Sequence, residues 1–245
     1  MMSLYVAATG SAANTYVLTA SSGESLILDA GAPIKKVLPH IPDLRKVRRL
    51  LVTHEHKDHS RCWFDYWMRG IDMIASKGTI EQMMPAEIPS MVQPAVAMRP
   101  VSCGEFTVMP FDVQHDAAEP FGFLIKHNPT GETLVYATDT YYLKYTFPYV
   151  NYWLVECNYC EDLIKPDEMN EYHIKRLNES HMNLRRLMDA LKANDLTETA
   201  KIVLVHLSDS RSDEQRMVSE ISDLTGIETV AASAGMTIEL SRTPF

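Results

Sequence analysis

The chain has 245 residues, of which 46% are hydrophobic and 22% are charged, and its formal net charge at pH 7 is −9. This composition is typical of a globular protein and excludes a mainly disordered, collagen-like or coiled-coil architecture. The negative charge argues against a protein that holds nucleic acid by its whole surface, so any such role depends on a local patch or a metal site.

The first part of the chain is predicted to be rich in β-strands. Short apolar runs separated by Gly, Ser and Asn predict strands over residues 4–8, 15–18, 25–28 and 47–53. A helix is predicted over 61–69. The proline-rich stretch 84–100 is predicted to be a connecting loop.

The second part mixes strands and helices. Runs over 101–113, 121–126 and 133–137 predict a meander with a hairpin turn at 128–131. Residues 140–195 are predicted to be mostly helical, with Asn183 capping a helix over 184–191. A strand over 201–207, a helix over 212–224 and a strand over 236–240 are predicted to follow. This order predicts a layered α/β protein with helices on the outside.

A cluster of metal-ligand residues follows the strand predicted over 47–53. The segment Leu50-Leu-Val-Thr-His-Glu-His-Lys-Asp-His59 carries His54, His56, Asp58 and His59. Imidazoles and a carboxylate suit borderline divalent metals such as zinc. His54 and His56 point to the same side of an extended segment, so one ion can take both. An isolated histidine is more often structural, but four ligand-type residues this close together are hard to explain by packing.

Three later residues can complete two coordination shells, because each one follows a predicted strand. They are His115, Asp139 and His206. Each alone can equally be a solvated loop residue, but ligands at the carboxyl ends of strands are typical of layered α/β sites. We therefore expect the strand ends at 53, 114, 138 and 205 to converge on one cleft.

These motifs resemble those of the metallo-β-lactamase-fold superfamily. Its H-x-H-x-D-H signature is present as His54, His56, Asp58 and His59, and its early D-x-G turn is matched by Asp29-Ala-Gly31. His115, Asp139 and His206 fall in the order of the family's later metal motifs. The resemblance implies an α/β fold of the αββα four-layer type, with two mixed sheets face to face, in a single domain over residues 1–245.

A closer resemblance is to the YycJ/WalJ-type branch of that superfamily. The branch motifs G-S-x-x-N-x-Y, H-D-A-x-E-P-x-G-F, A-T-D-T, E-x-N-Y and H-L-S are matched at 10–16, 115–123, 137–140, 156–159 and 206–208. Its G-H-L-S-N stretch is replaced by Ser180-His-Met-Asn-Leu184, which keeps the histidine and changes its surroundings. Such enzymes are regarded as phosphodiesterases, notably double-stranded DNA exonucleases.

The resemblance implies two divalent ions, zinc or manganese, that share an attacking hydroxide. His54, His56 and His115 are expected to hold the first ion, and Asp58, His59 and His206 the second. Asp139 is expected to bridge the two ions. The implied catalytic residues are Asp58, His181 and Glu156.

His181 is expected to act as a general acid or a phosphate clamp, with Glu156 orienting it and raising its pKa. The alternative is that Glu156 caps the next helix and that His181 lies on a solvated helix end. Ser208 and Asn158 are expected either to hydrogen-bond substrate or to cap loops.

Four functions compete for this site. The leading interpretation is a DNA exonuclease-type phosphodiesterase whose partner is a nucleic acid. The first alternative is a phosphodiesterase for a small nucleotide such as a cyclic nucleotide, which needs no extended basic groove. An acyl or β-lactam hydrolase fits less well, because the branch match and His181 point to phosphate. A non-catalytic metal-binding protein would need a degraded ligand set, and no predicted ligand is missing.

The remaining features have more ordinary interpretations. The aromatic residues Trp63, Phe64, Tyr66 and Trp67 have helical spacing and predict a core segment or a homodimer face rather than a base-stacking platform. The basic run 45–49 predicts a solvated strand entry, or else a grip on a phosphate backbone. Cys157 and Cys160 have redox spacing but no second pair, which favours an incidental role.

Location is predicted from what the sequence lacks. No apolar run approaches the roughly 20 residues that span a bilayer, and the start of the chain does not have the basic and apolar parts of a signal peptide. Four cysteines make a poor disulfide framework. The sequence therefore predicts a cytoplasmic protein with no membrane partner.

Overall fold

The structure is a computed structural model that describes residues 1–84, 92–165 and 170–242. The strands are β1 (Met2–Ala8), β2 (Thr15–Ala20), β3 (Ser25–Leu28), β4 (Val47–Leu51), β5 (Met73–Ser76), β6 (Val92–Ala95), β7 (Val101–Cys103), β8 (Phe106–Asp112), β9 (Phe121–His127), β10 (Thr133–Ala137), β11 (Tyr152–Glu156), β12 (Lys201–Val205), β13 (Glu228–Ala231) and β14 (Thr237–Leu240). The α-helices are α1 (Lys57–Ser60), α2 (Trp63–Trp67), α3 (Lys77–Met83), α4 (Glu171–Ser180), α5 (Leu184–Lys192) and α6 (Glu214–Thr225). Short 3₁₀ helices cover Ile34–Lys36, Leu38–His40, Leu44–Lys46 and Glu161–Leu163. Within the described ranges, none of the helices has the length and apolar character that crossing a membrane requires.

Two mixed sheets form the middle of the described structure. One has the strand order β14-β1-β2-β3-β4-β5-β6, and the other has the order β13-β12-β11-β10-β9-β8-β7. In the first sheet, β1 to β3 pair antiparallel and β3 to β6 pair parallel. In the second sheet, β7 to β10 pair antiparallel and β10 to β13 pair parallel. The carboxyl ends of the parallel strands create the edge at which the predicted ligands emerge.

Buried side chains alternate between the two faces of each sheet, as the period of a β-strand requires. In β10, Tyr136 packs into the core between the sheets, whereas Val135 packs against α5 and α6. In β1, Leu4 packs into the core between the sheets, and the opposite face of this sheet packs on α2 and α3 through Tyr66 and Ile80. Three apolar layers therefore separate four structural layers, and the predicted αββα sandwich is confirmed.

The prediction of mostly helical structure over 140–195 is wrong for its first part. Strand β11 lies there, in the centre of the second sheet between β10 and β12, and α4 begins only at Glu171. All five residues of β11 are buried, so the strand shows no polar–apolar alternation. A short apolar run that is buried on both faces cannot be told from a buried helix by its periodicity.

The predicted loop over 84–100 is also partly wrong. Val92–Ala95 forms β6, which pairs parallel with β5, while residues 85–91 with Pro85 and Pro89 lie outside the described residues. Pro94 is tolerated in this strand because β6 is at the edge of its sheet, where a missing N–H breaks no ladder on the open side. The short strands β5 and β13 were likewise not predicted from the sequence.

Predictions based on turn and cap chemistry are confirmed. The side chain of Asn183 caps α5 by accepting a hydrogen bond of 2.8 Å from the Arg186 N–H. Gly131 has a φ of +75° in the turn between β9 and β10, a conformation that glycine adopts at little cost. Short-range signals of this kind depend on few residues, which is why the sequence alone reveals them.

Candidate metal centre

The predicted ligands come from the ends of four strands. The segment after β4 carries His54 and His56 and leads into α1, which carries Asp58 and His59. His115, Asp139 and His206 follow β8, β10 and β12. All of these side chains lie close together at one end of the sandwich, so the expected convergence of strand ends is observed.

The first cluster contains His54, His56, His115 and Asp139, whose ligand atoms lie within 4.8 Å of one another. His115 Nε2 lies 3.1 Å from His56 Nδ1 and 3.5 Å from Asp139 Oδ2. His54 Nε2 lies 3.7 Å from the same carboxylate oxygen. Three nitrogen atoms and one oxygen atom therefore face a common point.

The second cluster contains Asp58, His59, His206 and again Asp139. His59 Nε2 lies 3.2 Å from Asp58 Oδ2 and 3.3 Å from Asp139 Oδ1. His206 Nε2 lies 3.4 Å from Asp58 Oδ2. Asp139 thus turns its Oδ2 atom toward the first cluster and its Oδ1 atom toward the second, which is the arrangement of a bridging carboxylate.

The geometry and the bonding of these residues fit divalent ions. In a tetrahedral site with metal–nitrogen distances of about 2.0–2.1 Å, neighbouring ligand atoms lie about 3.3–3.4 Å apart. The measured separations run from 3.1 to 3.7 Å. His54 Nε2 is buried and has no hydrogen-bond partner among the described residues, which is costly for a polar atom unless it binds a ligand. The seven residues are therefore suited to hold metal, and their role as ligands stays a prediction.

The second ring nitrogens of four of these histidines have their own partners. His59 Nδ1 lies 2.8 Å from Asp29 Oδ2, and His115 Nδ1 lies 2.8 Å from the carbonyl oxygen of Ser180. His54 Nδ1 lies 3.0 Å from Thr53 Oγ1, and His206 Nδ1 lies 2.9 Å from Glu156 Oε1. Metal-binding histidines are usually oriented in this way, with one nitrogen toward the ion and the other N–H donated to an acceptor.

Asp29 is a buried hydrogen-bond acceptor next to the second cluster. It is fully buried and accepts hydrogen bonds from the Thr53 N–H at 2.8 Å and from the Tyr136 hydroxyl at 2.6 Å, in addition to its contact with His59. Asn14 Nδ2 lies 3.1 Å from His59 Nε2 and completes this surrounding shell. The sequence marked Asp29 and Asn14 as parts of motifs, but gave no role to Thr53 or Tyr136.

The backbone is left-handed at three of these positions. Asp29, Asp139 and His206 have φ values of +59°, +48° and +56°. Residues other than glycine seldom adopt positive φ, although Asp and His do so more often than most. Such conformations cluster at functional sites, where the surrounding structure holds them in place.

Burial and charge set the protonation of the two clusters. Burial lowers the pKa of His54 and of His115, so both rings favour the neutral form that binds metal. Burial also opposes the charge on His59 and His206, but nearby carboxylates outweigh it. The pKa of His59 is raised well above its usual value, and that of His206 is raised to about 10.

Asp139 stays ionised between these rings. Although burial opposes ionisation, the positive charges of His206 and His59 hold the pKa of Asp139 well below its usual range. The carboxylate shared by the two clusters is therefore present as an anion, which is the form that binds a cation.

Glu156 and His181 form a pair next to the second cluster. Glu156 is the last residue of β11 and is fully buried, whereas His181 follows α4 and its side chain is 21% exposed. His181 Nδ1 lies 2.7 Å from Glu156 Oε1, the same oxygen that contacts His206 Nδ1. Burial disfavours the charge on both residues, but their attraction outweighs it, so the pKa of His181 is raised and that of Glu156 is lowered.

Glu156 also accepts hydrogen bonds from two backbone N–H groups, those of Thr140 at 3.0 Å and Met182 at 3.1 Å. It ties the loop after β10 and the residue after His181 to the end of β11, and it caps none of the helices in the described ranges. His181 is the C-cap residue of α4, but its side chain is only 21% exposed and contacts Glu156, so it lies at a helix end without being solvated as the alternative expected.

Other predicted site residues have structural partners. Asn158 Nδ2 donates to the carbonyl oxygen of His206 at 2.7 Å, so its amide supports a predicted ligand. Ser208 is buried, and its N–H donates to the Asn158 carbonyl at 2.8 Å. Cys157 and Cys160 are buried free cysteines, and burial raises the pKa of both thiols.

The basic run and the aromatic segment have partners of their own as well. Arg45 pairs with Asp43, Arg48 with Glu24, and Arg49 with Asp72. In α2, Tyr66 is buried and Phe64 is 50% exposed. These arginines therefore already pair with acidic residues. Helix α2 packs on the core through Tyr66 and the partly buried Trp63, and the homodimer face stays a prediction.

The chain belongs to the family described as the beta-lactamase superfamily domain, whose model matches residues 26–207. This match and the fold confirm the predicted superfamily, whereas the YycJ/WalJ-type branch within it stays a prediction. None of the curated protein sequences matches the chain.

Solved structures share the fold at low sequence identity. The metallo-beta-lactamase fold protein YhfI from Bacillus subtilis is 18% identical, with a TM-score of 0.74 over 98% of this chain and 100% of YhfI. Zn²⁺-bound PqqB from Methylobacterium extorquens is 13% identical, with a TM-score of 0.71 over 98% of this chain and 100% of PqqB. The short form of human tRNase Z is 14% identical, with a TM-score of 0.63 over 98% of this chain and 100% of that protein.

Proposed function

We propose that the protein is a dinuclear-metal phosphodiesterase of the YycJ/WalJ type that hydrolyses nucleic acid from an end. The observation that carries this proposal is the 2.7 Å contact between His181 and Glu156 beside the two ligand clusters. Cleavage of a phosphodiester releases a poorly stabilised alkoxide, which needs a proton at neutral pH. A paired imidazole with a raised pKa is suited to supply it.

The proposed ligand sets are those predicted from the sequence. His54, His56 and His115 would hold one ion, Asp58, His59 and His206 would hold the other, and Asp139 would contact both. When bound, two divalent ions supply Lewis acidity for the phosphoryl oxygens and a nucleophile from water at neutral pH. Zinc and manganese both accept this mixture of imidazole and carboxylate ligands.

The pair positions a proton where a leaving group can take it. Glu156 fixes the ring of His181 through Nδ1, so the opposite nitrogen, Nε2, points away from the carboxylate. That nitrogen has no hydrogen-bond partner in the described part of the chain, and the ring lines an open cavity. His181 is therefore the donor that we assign to the leaving oxygen.

Similarity to tRNase Z, whose name describes an enzyme acting on RNA, supports a phosphodiester substrate for this fold. A phosphodiesterase for a small nucleotide is the second candidate. It is favoured by the net charge of −9 and by the pairing of Arg45, Arg48 and Arg49 with acidic residues, which leaves them poorly placed to track a phosphate backbone.

Purified protein should be tested with Mn²⁺ or Zn²⁺ on linear duplex DNA, on cyclic mononucleotides and on bis(p-nitrophenyl) phosphate. Hydrolysis of the artificial diester together with duplex DNA supports the exonuclease. Hydrolysis of the diester and a cyclic nucleotide alone supports the second candidate. Hydrolysis of a β-lactam or a thioester with no activity on any diester contradicts both.

We also propose that the chain works as a single domain. Strand β14 pairs antiparallel with β1, which ties the C-terminal part of the described chain to its first strand. The predicted ligands are likewise drawn from both sheets. Limited proteolysis that yields two separately stable fragments would contradict this proposal.

A further inference from the structure

A cavity of about 490 Å³ opens beside the proposed proton donor. It lies between α4 and the loop that follows β12, and His181 forms part of its wall. Besides His181, its basic lining side chains are His173, Arg176 and Arg211. No carboxylate lines the cavity within the described residues, which is unusual for a chain with a net charge of −9.

The two arginines are held differently. Arg176 donates from Nε to Asp116 Oδ2 at 2.8 Å, so its position is fixed against the loop that carries His115. Arg211 is a half-buried residue, and its guanidinium has neither a hydrogen bond nor an ion pair in the ranges that the structure describes. An unpaired guanidinium on a side chain that lines a cavity is suited to bind an oxyanion, because its planar fork matches phosphate.

We propose that this cavity binds a second phosphate group of the substrate, on the leaving-group side of the bond that is cleaved. The inference rests on the proposed function. His181 borders both the ligand clusters and the cavity, so the group that receives its proton must lie next to the cavity. The volume is that of a small-ligand site rather than of a groove for a duplex.

A site of this size and charge recognises a chain end. A terminal nucleotide that carries its own phosphate can place that phosphate at Arg211 while its other oxygen leaves at His181. An internal stretch of duplex would instead need an extended basic surface. The cavity thus supplies the local patch that a protein of this negative charge needs in order to act on nucleic acid.

The test uses matched dinucleotides with one cleavable diester. Thymidylyl-thymidine is compared with the same molecule carrying a 5′-terminal or a 3′-terminal phosphate, in the presence of Mn²⁺. We expect one phosphorylated form to be cleaved with a kcat/KM at least about tenfold above the unphosphorylated form, since a charge-assisted hydrogen bond is worth about a decade or more. The preferred end reports the direction of digestion.

Variants then test whether the preference for a terminal phosphate depends on Arg211. Arg211→Ala should lower the ratio of kcat/KM between the preferred phosphorylated form and the unphosphorylated form by about tenfold to a hundredfold. Arg211→Lys should lower that ratio less, because it keeps the charge and loses the fork. The matched control is Arg185→Ala, which removes an exposed arginine from a different cavity and should leave the ratio unchanged.

The outcomes separate the two claims. Cleavage of bis(p-nitrophenyl) phosphate by the wild-type protein without preference for either phosphorylated dinucleotide overturns the inference and leaves the proposed function standing. A preference that survives in Arg211→Ala also overturns it. No cleavage of any diester at saturating metal overturns the proposed function, and the inference falls with it.

Discussion

The two ligand clusters share Asp139 and lie side by side, but their surroundings differ in charge. The first cluster adds three histidines to the shared carboxylate, and burial lowers the pKa of His54 and His115. The second cluster adds Asp58 and is flanked by Asp29 and Glu156. There the carboxylates outweigh burial and raise the pKa of the histidines.

This difference indicates what each cluster depends on. In the first cluster His54 and His115 favour the neutral form, so the affinity of this cluster for metal depends mainly on how well the rings are positioned. The second depends on a balance between carboxylates and imidazolium protons, because protons compete with a cation for the same site. Substitutions that remove one carboxylate should therefore affect the second cluster more than the first, except at the residue that the two share.

The largest effect is expected for Asp139→Asn, because Asp139 faces both clusters. We expect metal content to fall at both sites and hydrolysis of bis(p-nitrophenyl) phosphate to be abolished. Metal analysis of the purified variant, together with turnover at saturating Mn²⁺, measures this. Asp65→Asn removes an exposed carboxylate on α2 and is the control. Retention of two ions in Asp139→Asn would rule out the bridging role.

Asp58→Ala should separate the clusters. Asp58 contacts His59 and His206 but belongs only to the second cluster. We expect one ion to be retained and turnover on diesters to drop by several orders of magnitude, with a normal far-UV circular dichroism spectrum. A fully active wild-type protein that contains one ion or none would contradict the two-metal account.

His181→Ala should lower the rate without changing the metal content. On a diester with a poor leaving group, we expect a loss of roughly 10²–10⁴ in kcat. The loss should be much smaller on p-nitrophenyl diesters, whose leaving group needs little protonation. His40→Ala is the control, since His40 is exposed and stacks on Tyr5. Equal losses on both leaving groups would make His181 a phosphate clamp, and lost metal would make it a ligand.

Asp29→Asn tests how far the second cluster depends on the carboxylate that contacts His59. Asn keeps the shape of the side chain but removes the charge that orients His59. Loss of such a partner typically lowers metal affinity by about 10–100-fold. Competition with a chelator should show this weakening at one ion only. Equal weakening of both ions would show that Asp29 supports the whole site rather than the second cluster.

The smallest effect on the maximal rate is expected for Glu156→Gln. The nearby carboxylate raises the pKa of His181, so its removal should lower that pKa. His181 must be protonated to act as an acid, and activity is therefore lost as pH rises through its pKa. The alkaline limb of the pH–rate profile should move to lower pH, while the acid limb stays nearly fixed. An unchanged alkaline limb would separate this pair from proton delivery.

The sequence was most informative where the site is local. The segment from His54 to His59 carries four predicted ligands in one loop, and their proximity follows from their spacing alone. His115, Asp139 and His206 could be predicted because each follows an apolar run, and the carboxyl ends of neighbouring strands meet. His181 was found only through its resemblance to a branch motif.

The partners of the ligands could not be predicted. Tyr136 reaches Asp29 across 107 positions of sequence, and Ser180 contacts His115 through a backbone carbonyl that any residue possesses. Nothing in the sequence distinguishes Thr53 from other threonines near strand ends, and only the structure shows its hydroxyl next to His54. Strand β11 was not predicted for a similar reason. Its burial on both faces arises only in the assembled sheets, so its sequence shows no polar–apolar alternation.

The left-handed backbone at Asp29, Asp139 and His206 affects how alanine scanning of this site is interpreted. Alanine at such a position loses the polar side chain and also incurs a conformational cost of about 1–2 kcal/mol. The measured loss of activity therefore combines the loss of the functional group with a loss of folding stability. Asparagine accepts this conformation far better and glycine adopts it freely. Paired asparagine and glycine replacements would therefore report the chemical contribution of each residue, where an alanine series would exaggerate it.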